Sequence, residues 1–326
     1  MDELTSNIIA LTWTPHRRFK GLCDYLRVPL HEITCESGTW SRYWEQLSRT
    51  LGLLRQLKPD VLLVQNPSLI LTAFAVTYCS LTQIKVVVDA HNEAVQPYVH
   101  DNWLIRWVAS ALLKHADLTI VTNKWLAELV ERSGGRAFIL YDRIPEPDLG
   151  SKNRIYGGAS KKITVINSGA PDEPLGEILK AVTAMSRNDL HFCVTGSVPS
   201  DQQESWPDLL SNVEFTGFLP DNEYWALLAE SLIIIDLTSM GDCLVCGAYE
   251  GLAVGRPLIL SDDRAARDLF SAGAVFTKNR AEPIREALTY ALQHNDEIKR
   301  DAESHAKLLQ EKWIDLASQL VLELQS

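Results

Sequence analysis

The chain has 326 residues, of which 46% are hydrophobic and 22% are charged, and its formal net charge is −11. These values are typical of a soluble globular protein, and the length predicts two domains. Residues 1–150 carry 15 Lys and Arg against 16 Asp and Glu, and residues 151–326 carry 16 against 26. A near-neutral half and an acidic half argue against nucleic-acid binding, which needs a basic surface.

The cysteines and the apolar runs predict a reduced, cytoplasmic protein. Cys243 and Cys246 form a C-x-x-C pair, but no second pair or His pair follows at zinc spacing, so we expect no metal site. The longest apolar runs, 69–76 and 103–113, are shorter than the roughly 18–20 residues that cross a bilayer. The chain is therefore not expected to cross a membrane. Peripheral contact at its inner face stays open.

Short apolar runs that predict strands alternate with longer segments that predict helices. The predicted strands are 7–12, 61–65, 84–90, 118–121, 138–141, 163–166, 191–195, 213–215, 232–237 and 258–260. The main predicted helices are 40–58, 69–81, 103–115, 123–133, 174–186, 221–230, 281–294 and 295–324. Such alternation indicates doubly wound α/β domains. The first strand lacks a following G-x-G-x-x-G turn, which argues against an NAD or FAD oxidoreductase.

A polar, Pro- and Gly-bearing stretch near residue 150 predicts the domain boundary. We expect an N-terminal, acceptor-side Rossmann-like domain over residues 1–150 and a C-terminal, nucleotide-sugar-binding one over 151–305. Residues 306–326 are expected to form a C-terminal helix, with packing against the first domain as one option.

The segment 232–262 holds two carboxylates at the carboxyl end of a predicted strand. Asp242 and Glu250 are eight residues apart, a spacing that puts two helical side chains within about 80° of each other. A short predicted helix carries Glu250 and ends at a Gly255-Arg256-Pro257 turn, and another apolar strand follows. Ligands of parallel α/β sheets bind at this edge, and a carboxylate can accept hydrogen bonds from two vicinal hydroxyls.

This segment resembles the acidic signature of retaining GT-B glycosyltransferases, Glu-x7-Glu followed by a Gly-x-Pro turn. The resemblance implies two Rossmann-like domains facing a cleft and transfer of a sugar from a nucleotide-sugar donor. It puts Asp242 against the donor sugar and Glu250 on the ribose hydroxyls. Weaker matches lie at 86–91, 116–123 and 215–228, and segments 140–143 and 168–173 are similar to chitobiosyl-diphosphodolichol β-mannosyltransferases.

The resemblance implies a donor site in the second domain. Its expected residues are Ser168, Gly169, Arg143, Gly196, Gly241, Cys243, Leu244 and Glu250. The Arg and Lys pair that many retaining members use on the donor diphosphate is absent from residues 166–180, where Lys180 is the single basic residue. Amides of Ser168 and Gly169 at a helix N-terminus could replace part of that charge, with Arg143 and Arg256 as further candidates. No cofactor or metal is expected.

The expected catalytic residues are His91, on the other side of the cleft, and Asp242. Asp89 or Glu93 could act as a base if the enzyme inverts, and the sequence does not decide between inversion and retention. His16, Arg17, Arg18 and Glu93 are expected on the acceptor side. There, basic and aromatic residues together would suit a diphosphate-lipid acceptor or an anionic membrane surface. The expected acceptor is a glycan or a polyprenyl-diphosphate-linked saccharide. The alternatives are a non-catalytic scaffold or partner subunit, which the missing Arg and Lys favour, and a sugar-nucleotide epimerase.

Overall fold

The computed structural model describes residues 7–35, 39–66, 68–90, 92–95, 103–147, 161–198 and 212–325. It divides into two units. The first comprises Met1–Arg143 together with Glu311–Ser326, and the second comprises Ile144–Gln310.

The first unit is a parallel sheet with flanking helices. Its strands are β1 (Ile8–Thr12), β2 (Leu30–Glu32), β3 (Val61–Asn66), β4 (Lys85–Ala90), β5 (Leu118–Val121) and β6 (Ala137–Ile139). Its helices are α1 (Arg17–Leu26), α2 (Thr39–Leu57), α3 (Leu69–Thr82), α4 (Asn92–Val95), α5 (Trp103–His115) and α6 (Lys124–Arg132). The strand order is β2-β1-β3-β4-β5-β6, with every pair parallel. The order reverses between β1 and β3.

The second unit repeats this design with a different strand order. Its strands are β7 (Lys161–Val165), β8 (Leu190–Thr195), β9 (Val213–Gly217), β10 (Ile233–Asp236), β11 (Leu258–Ser261) and β12 (Ala274–Thr277). Its helices are α7 (Leu175–Met185), α8 (Asp221–Glu230), α9 (Cys246–Ala253), α10 (Arg264–Leu269), α11 (Ala281–Gln293) and α12 (Asn295–Gln325). The parallel strands run β12-β11-β10-β7-β8-β9. The order therefore reverses between β7 and β10.

The central strands are apolar on both faces because helices cover both sides of a parallel sheet. Every residue of β1, β3, β10 and β11 is buried. In the second unit, Ile163, Val165, Ile233 and Ile235 join residues of α7 and α11 in one apolar core. The doubly wound α/β fold that the alternating pattern predicted is confirmed in both units.

The end of α12 belongs to the first unit. The Trp313 indole N–H donates to the Tyr141 carbonyl at 2.9 Å, and its ring meets Tyr25 edge-on at 4.7 Å between centroids. Arg136 pairs with Glu323 at 2.6 Å. These contacts anchor the last helical turns to the β5–β6 side of the first unit. Within the described ranges, no helix combines the length and the apolar character needed to cross a membrane.

Candidate functional site

The strongest candidate site lies in the second unit, where the strand order reverses between β7 and β10. In doubly wound sheets, ligands bind outside the carboxyl ends of the strands at such a switch point. The loop after β7 begins with Ile166 and Asn167, and the loop after β10 begins with Leu237 and Thr238. Both loops therefore emerge at the edge where a ligand is expected.

The loop after β7 forms an anion-binding arrangement of backbone amides, which we call the amide nest (residues 168–170). Its three N–H groups converge on the carboxylate of Glu173. Ser168 donates at 2.9 and 3.0 Å, Gly169 at 2.9 Å and Ala170 at 3.0 Å. The Ser168 hydroxyl adds a bond of 2.8 Å. Convergent amides of this kind bind anions, and here the anion is the Glu173 carboxylate. The donor-binding role of Ser168 and Gly169 stays a prediction.

Two glycines allow the loops after β7 and β8 to approach closely. Gly169 has φ +86°, and a Cβ atom there would lie 2.6 Å from the Ser197 carbonyl oxygen. Gly196 has φ +74°, and a Cβ atom there would lie 1.8 Å from the Asn167 carbonyl oxygen. Because side chains are excluded by both conformation and space, the predicted Gly196 shapes this edge through its backbone.

Glu250, the predicted ribose-binding residue, lies half-buried on α9 and accepts a hydrogen bond from the Tyr224 hydroxyl at 2.5 Å. Burial and then the Glu250 charge raise the pKa of Tyr224 well above its usual value, so the phenol stays a donor. This bond orients the carboxylate. The two oxygens of a carboxylate offer about four lone-pair sites for such bonds.

Asp236, the last residue of β10, is a buried acid that the sequence interpretation did not include. Its pKa is raised to about 8, first by burial and then by the charges of Glu250 and Glu173, with a bond from the Gly247 N–H opposing the shift. Asp236 is thus mostly protonated at neutral pH.

Asp242, the predicted catalytic residue, lies in the loop before α9 in a left-handed conformation with φ +54°. Its carboxylate forms a two-pronged ion pair with Arg264, at 2.5 Å from Nε and 2.7 Å from Nη2. Its N–H donates to Asp263 at 3.0 Å. Asp242 and Glu250 are therefore held by different helices, α10 and α8, a division that the eight-residue spacing did not indicate.

The loop after β10 is braced on both sides. The Thr238 hydroxyl donates to the Asp172 carboxylate, and the Thr238 backbone N–H donates to the Ser261 hydroxyl at 2.9 Å. Asn279 donates to the Thr238 carbonyl at 2.8 Å. The first bond joins this loop to the loop that carries the amide nest, so the two sides of the switch point are held together.

The remaining predicted donor-side residues differ in exposure. Gly241 is exposed, and Cys243 and Leu244 are half-buried in the loop that precedes α9. Arg256 donates to the Ala229 carbonyl, and burial lowers the pKa of its guanidinium. Arg143 belongs to the first unit, where its guanidinium lies 5.7 Å from the ring centroid of Tyr25 and 5.8 Å from that of Trp313.

The predicted acceptor-side residues belong to the first unit. Arg18 forms ion pairs with Asp89 at 3.0 Å and Asp142 at 2.5 Å, with only 8% of its side chain exposed. It is therefore engaged in the interior of the unit. Burial is the largest cause that lowers the pKa of His16, so its imidazole is more neutral than usual. Arg17, the first residue of α1, is exposed.

Two predicted residues cannot be located by their side chains. His91 lies outside the described residues. Glu93 falls on α4, but its side chain lies outside what the structure describes. Their roles remain predictions.

A separate group of residues that could ligate a metal lies on β8 and β9, near the amino ends of these strands and away from their carboxyl ends. The ligand atoms of His191, Cys193 and Glu214 lie within 4.8 Å of one another, and His191 pairs with Glu214 at 3.1 Å. Burial is the main cause that raises the pKa of Cys193 to about 12, so the thiol holds its proton strongly. The expectation of a metal-free protein stays a prediction.

Three acidic or basic residues of the site were missed by the sequence interpretation: Glu173, Asp236 and Arg264. The sequence offered a signal for one of them. Asp236 is an acid that directly ends the apolar run Ile233–Ile235, a position that belongs to the strand edge where ligands bind. Glu173 reaches the amides through the conformation of its own loop, and Arg264 pairs with Asp242 across 22 residues of sequence. Local sequence patterns indicate neither contact.

Comparison with known families identifies both halves. Residues 10–138 match the glycosyl transferase 4-like domain, and residues 176–313 match a glycosyl transferase-like domain. The curated proteins gave no match. The two matched stretches together cover most of both sheets.

Solved structures with the same fold cover nearly the whole chain. HepE of Anabaena, in complex with UDP and glucose, has a TM-score of 0.75 at 13% identity and covers 98% of this chain and 100% of its own. Sucrose-phosphate synthase of Thermosynechococcus elongatus has a TM-score of 0.77 at 12% identity and covers 96% of this chain and 97% of its own. A UDP-forming trehalose-phosphate synthase of Burkholderia xenovorans has a TM-score of 0.74 at 12% identity and covers 99% of each chain. The TM-scores and coverages show that this chain has the GT-B fold of these structures.

Proposed function

We propose that this chain, which consists of two glycosyltransferase domains with the GT-B fold, transfers a hexose from a nucleotide-sugar donor bound by its second unit. The observation that carries the proposal is the composition of the β7–β10 switch point. Amides able to bind an anion lie in the loop after β7, Glu250 lies on the helix that follows β10, and the Thr238 hydroxyl joins the two loops by donating to Asp172. A nucleoside diphosphate needs both functions: donors for its phosphates and an acceptor for its ribose hydroxyls.

In this proposal Glu250 accepts hydrogen bonds from the ribose, with Tyr224 fixing its orientation. The amides of Ser168 and Gly169 bind the diphosphate, and Gly196, Gly241, Cys243 and Leu244 line the donor. Arg143 is a further candidate for the diphosphate. HepE holds UDP and the trehalose-phosphate synthase is UDP-forming, so UDP-sugars are the donors to test first.

The chemistry that we propose is metal-independent and needs no cofactor. The enzyme must stabilise the departing diphosphate and hold the acceptor hydroxyl against the anomeric carbon. Asp242 and His91 are the proposed catalytic residues, with the Asp242 carboxylate oriented by its two hydrogen bonds from Arg264. We further propose retention of the anomeric configuration, because Asp89, one of two candidate bases for inversion, is fully buried and paired with Arg18.

The acceptor in this proposal is a glycan or a polyprenyl-diphosphate-linked saccharide on the side of the first unit. His16, Arg17 and Glu93 are the residues that we assign to the acceptor side, and Arg18 acts by holding the segment in place. A lipid-linked acceptor would bring the protein to the inner face of a membrane as a peripheral protein.

A non-catalytic partner subunit is the second candidate, and one observation favours it. The loop that would bind the diphosphate carries no Arg or Lys, and a carboxylate already occupies its amides. The enzyme would transfer the sugar of a bound donor, whereas the partner subunit would bind a donor without transferring its sugar.

The test is a panel of UDP, GDP, ADP and CMP with their sugars, read first by thermal shift and then by nucleotide release with and without acceptor. A ligand at a hundred times its Kd stabilises by about 2.7 kcal/mol, which raises Tm by roughly 5–10 °C. One responding base together with transfer supports the enzyme. Binding without release or transfer supports the partner subunit, a change of the sugar without acceptor indicates an epimerase, and no response refutes the donor site.

A further inference from the structure

The amide nest is occupied by a side chain of the same protein. The Glu173 carboxylate accepts from all three N–H groups and from the Ser168 hydroxyl, with distances between 2.8 and 3.0 Å. A carboxylate and a phosphate share this chemistry, since both are anions that accept several short bonds from amides. The side chain thus fills the position where the donor diphosphate would bind.

The nest has its conformation fixed by contacts other than Glu173. Gly169 is packed against the Ser197 carbonyl in a left-handed conformation. Asp172 accepts from the Thr238 hydroxyl, and its carbonyl accepts from the Ser239 N–H at 2.8 Å. Because these bonds tie the loop to its neighbours after β8 and β10, the amides should keep converging when the Glu173 carboxylate is removed.

The surrounding charge makes entry of a second anion costly while Glu173 remains. Asp236 is held mostly protonated by its burial and by the carboxylates of Glu250, Glu173 and Asp172. A diphosphate that entered beside all of these would meet further repulsion, whereas one that replaced Glu173 in the nest would exchange one anion for another.

We propose that Glu173 is an intramolecular competitor for the donor diphosphate and determines how strongly the site selects phosphorylated ligands. This inference rests on the proposed donor site. The carboxylate must leave the nest before a diphosphate can bind, so the apparent Kd equals the intrinsic Kd divided by the open fraction. With an open state populated at about 1–10%, typical of minor conformations, the wild-type protein binds nucleoside diphosphates about 10- to 100-fold more weakly than the unoccupied nest would.

The test uses the full chain and calorimetric titration with UDP, uridine and inorganic pyrophosphate. The variants are Glu173→Ala, Glu173→Gln, and Glu282→Gln as a matched control. Glu282 is an acid of the second unit that pairs with Arg285 within α11. We expect Glu173→Ala to tighten UDP and pyrophosphate about 10- to 100-fold, Glu173→Gln to do so less, uridine affinity to stay the same, and the control to match wild type.

Each other outcome has a definite meaning. Unchanged or weaker UDP and pyrophosphate binding in folded Glu173→Ala overturns the competitor role, as does an equal gain for uridine. A gain for pyrophosphate with no UDP or uridine binding to any variant supports the competitor and refutes the donor site. Absence of all binding refutes both. If Glu173→Ala loses its native circular dichroism spectrum, the isosteric Glu173→Gln decides.

Discussion

The buried acid Asp236 makes stability depend on pH in a direction that is unusual for a carboxylate. We consider the substitution Asp236→Asn, which keeps the size of the side chain and an oxygen to accept the Gly247 N–H, and removes the titration. In the folded wild type the pKa is about 8, whereas an unfolded Asp titrates near ~3.9. Between these values the unfolded chain has lost a proton that the folded protein keeps.

The sign and size follow from proton linkage. The slope of the unfolding free energy with pH is proportional to the protons bound by the unfolded state minus those bound by the folded state, which is negative here. Stability is therefore lost as pH rises from about 4 to about 8. Since each pH unit is worth about 1.36 kcal/mol for one proton, the Asp236 contribution falls by roughly 2–3 kcal/mol between pH 5 and pH 7.

The assay is urea unfolding of both proteins at pH 5, 6, 7 and 8. The difference between them cancels other titrating groups, including His16, whose lowered pKa acts in the opposite direction. We expect the free energy of unfolding of Asp236→Asn to rise by roughly 2–3 kcal/mol relative to that of wild type as pH rises from 5 to 7. A constant difference across the series would show that Asp236 is ionised in the folded protein and would refute the reasoning.

The other predictions concern stability and the ribose site. Gly196→Ala should destabilise the second unit by more than about 1 kcal/mol, because φ is +74° and the Asn167 carbonyl occupies the Cβ position. Gly176→Ala in α7, where a Cβ meets nothing within 4 Å, should instead gain about 0.5–1 kcal/mol; equal effects in thermal unfolding would contradict both. Trp313→Ala should cost the first unit about 3–5 kcal/mol, and Trp313→Phe less; an unchanged urea midpoint would argue against this anchor. Tyr224→Phe should weaken UDP binding by about 2- to 10-fold, since one hydrogen bond is worth about 0.5–1.5 kcal/mol, and full affinity would remove Tyr224 from the site.

Much of the fold could be predicted because the strands of a covered parallel sheet are apolar without interruption. The runs at 61–65 and 118–121 are confirmed as β3 and β5 with almost the same bounds. The short elements β2, β12 and α10 were not predicted. Strands of three or four residues and a helix of six are too short to show a period, and their existence depends on pairing with a neighbour.

Part of the site could be predicted because the order of strands and loops can be read from the sequence. Glu250 and the amides of Ser168 and Gly169 are placed at the edge of the sheet by the order of strands and loops, which the sequence shows. The Glu173 side chain turns back onto its own loop because Gly169 takes a left-handed conformation, and no periodicity encodes that turn. Asp242 pairs with Arg264, which follows β11 in the chain, so this pairing depends on tertiary structure.

The central claim is that Glu250 binds the ribose of a nucleotide donor. The most direct test is calorimetric titration of UDP and GDP into wild type and Glu250→Ala, each also in the Glu173→Ala background where the nest is open. Loss of hydrogen bonds to a carboxylate, worth about 1.5–3 kcal/mol each, predicts a Kd at least about 10-fold higher for Glu250→Ala in both backgrounds with the fold intact. Equal affinity of the two proteins, or no nucleotide binding by either background, would contradict the account.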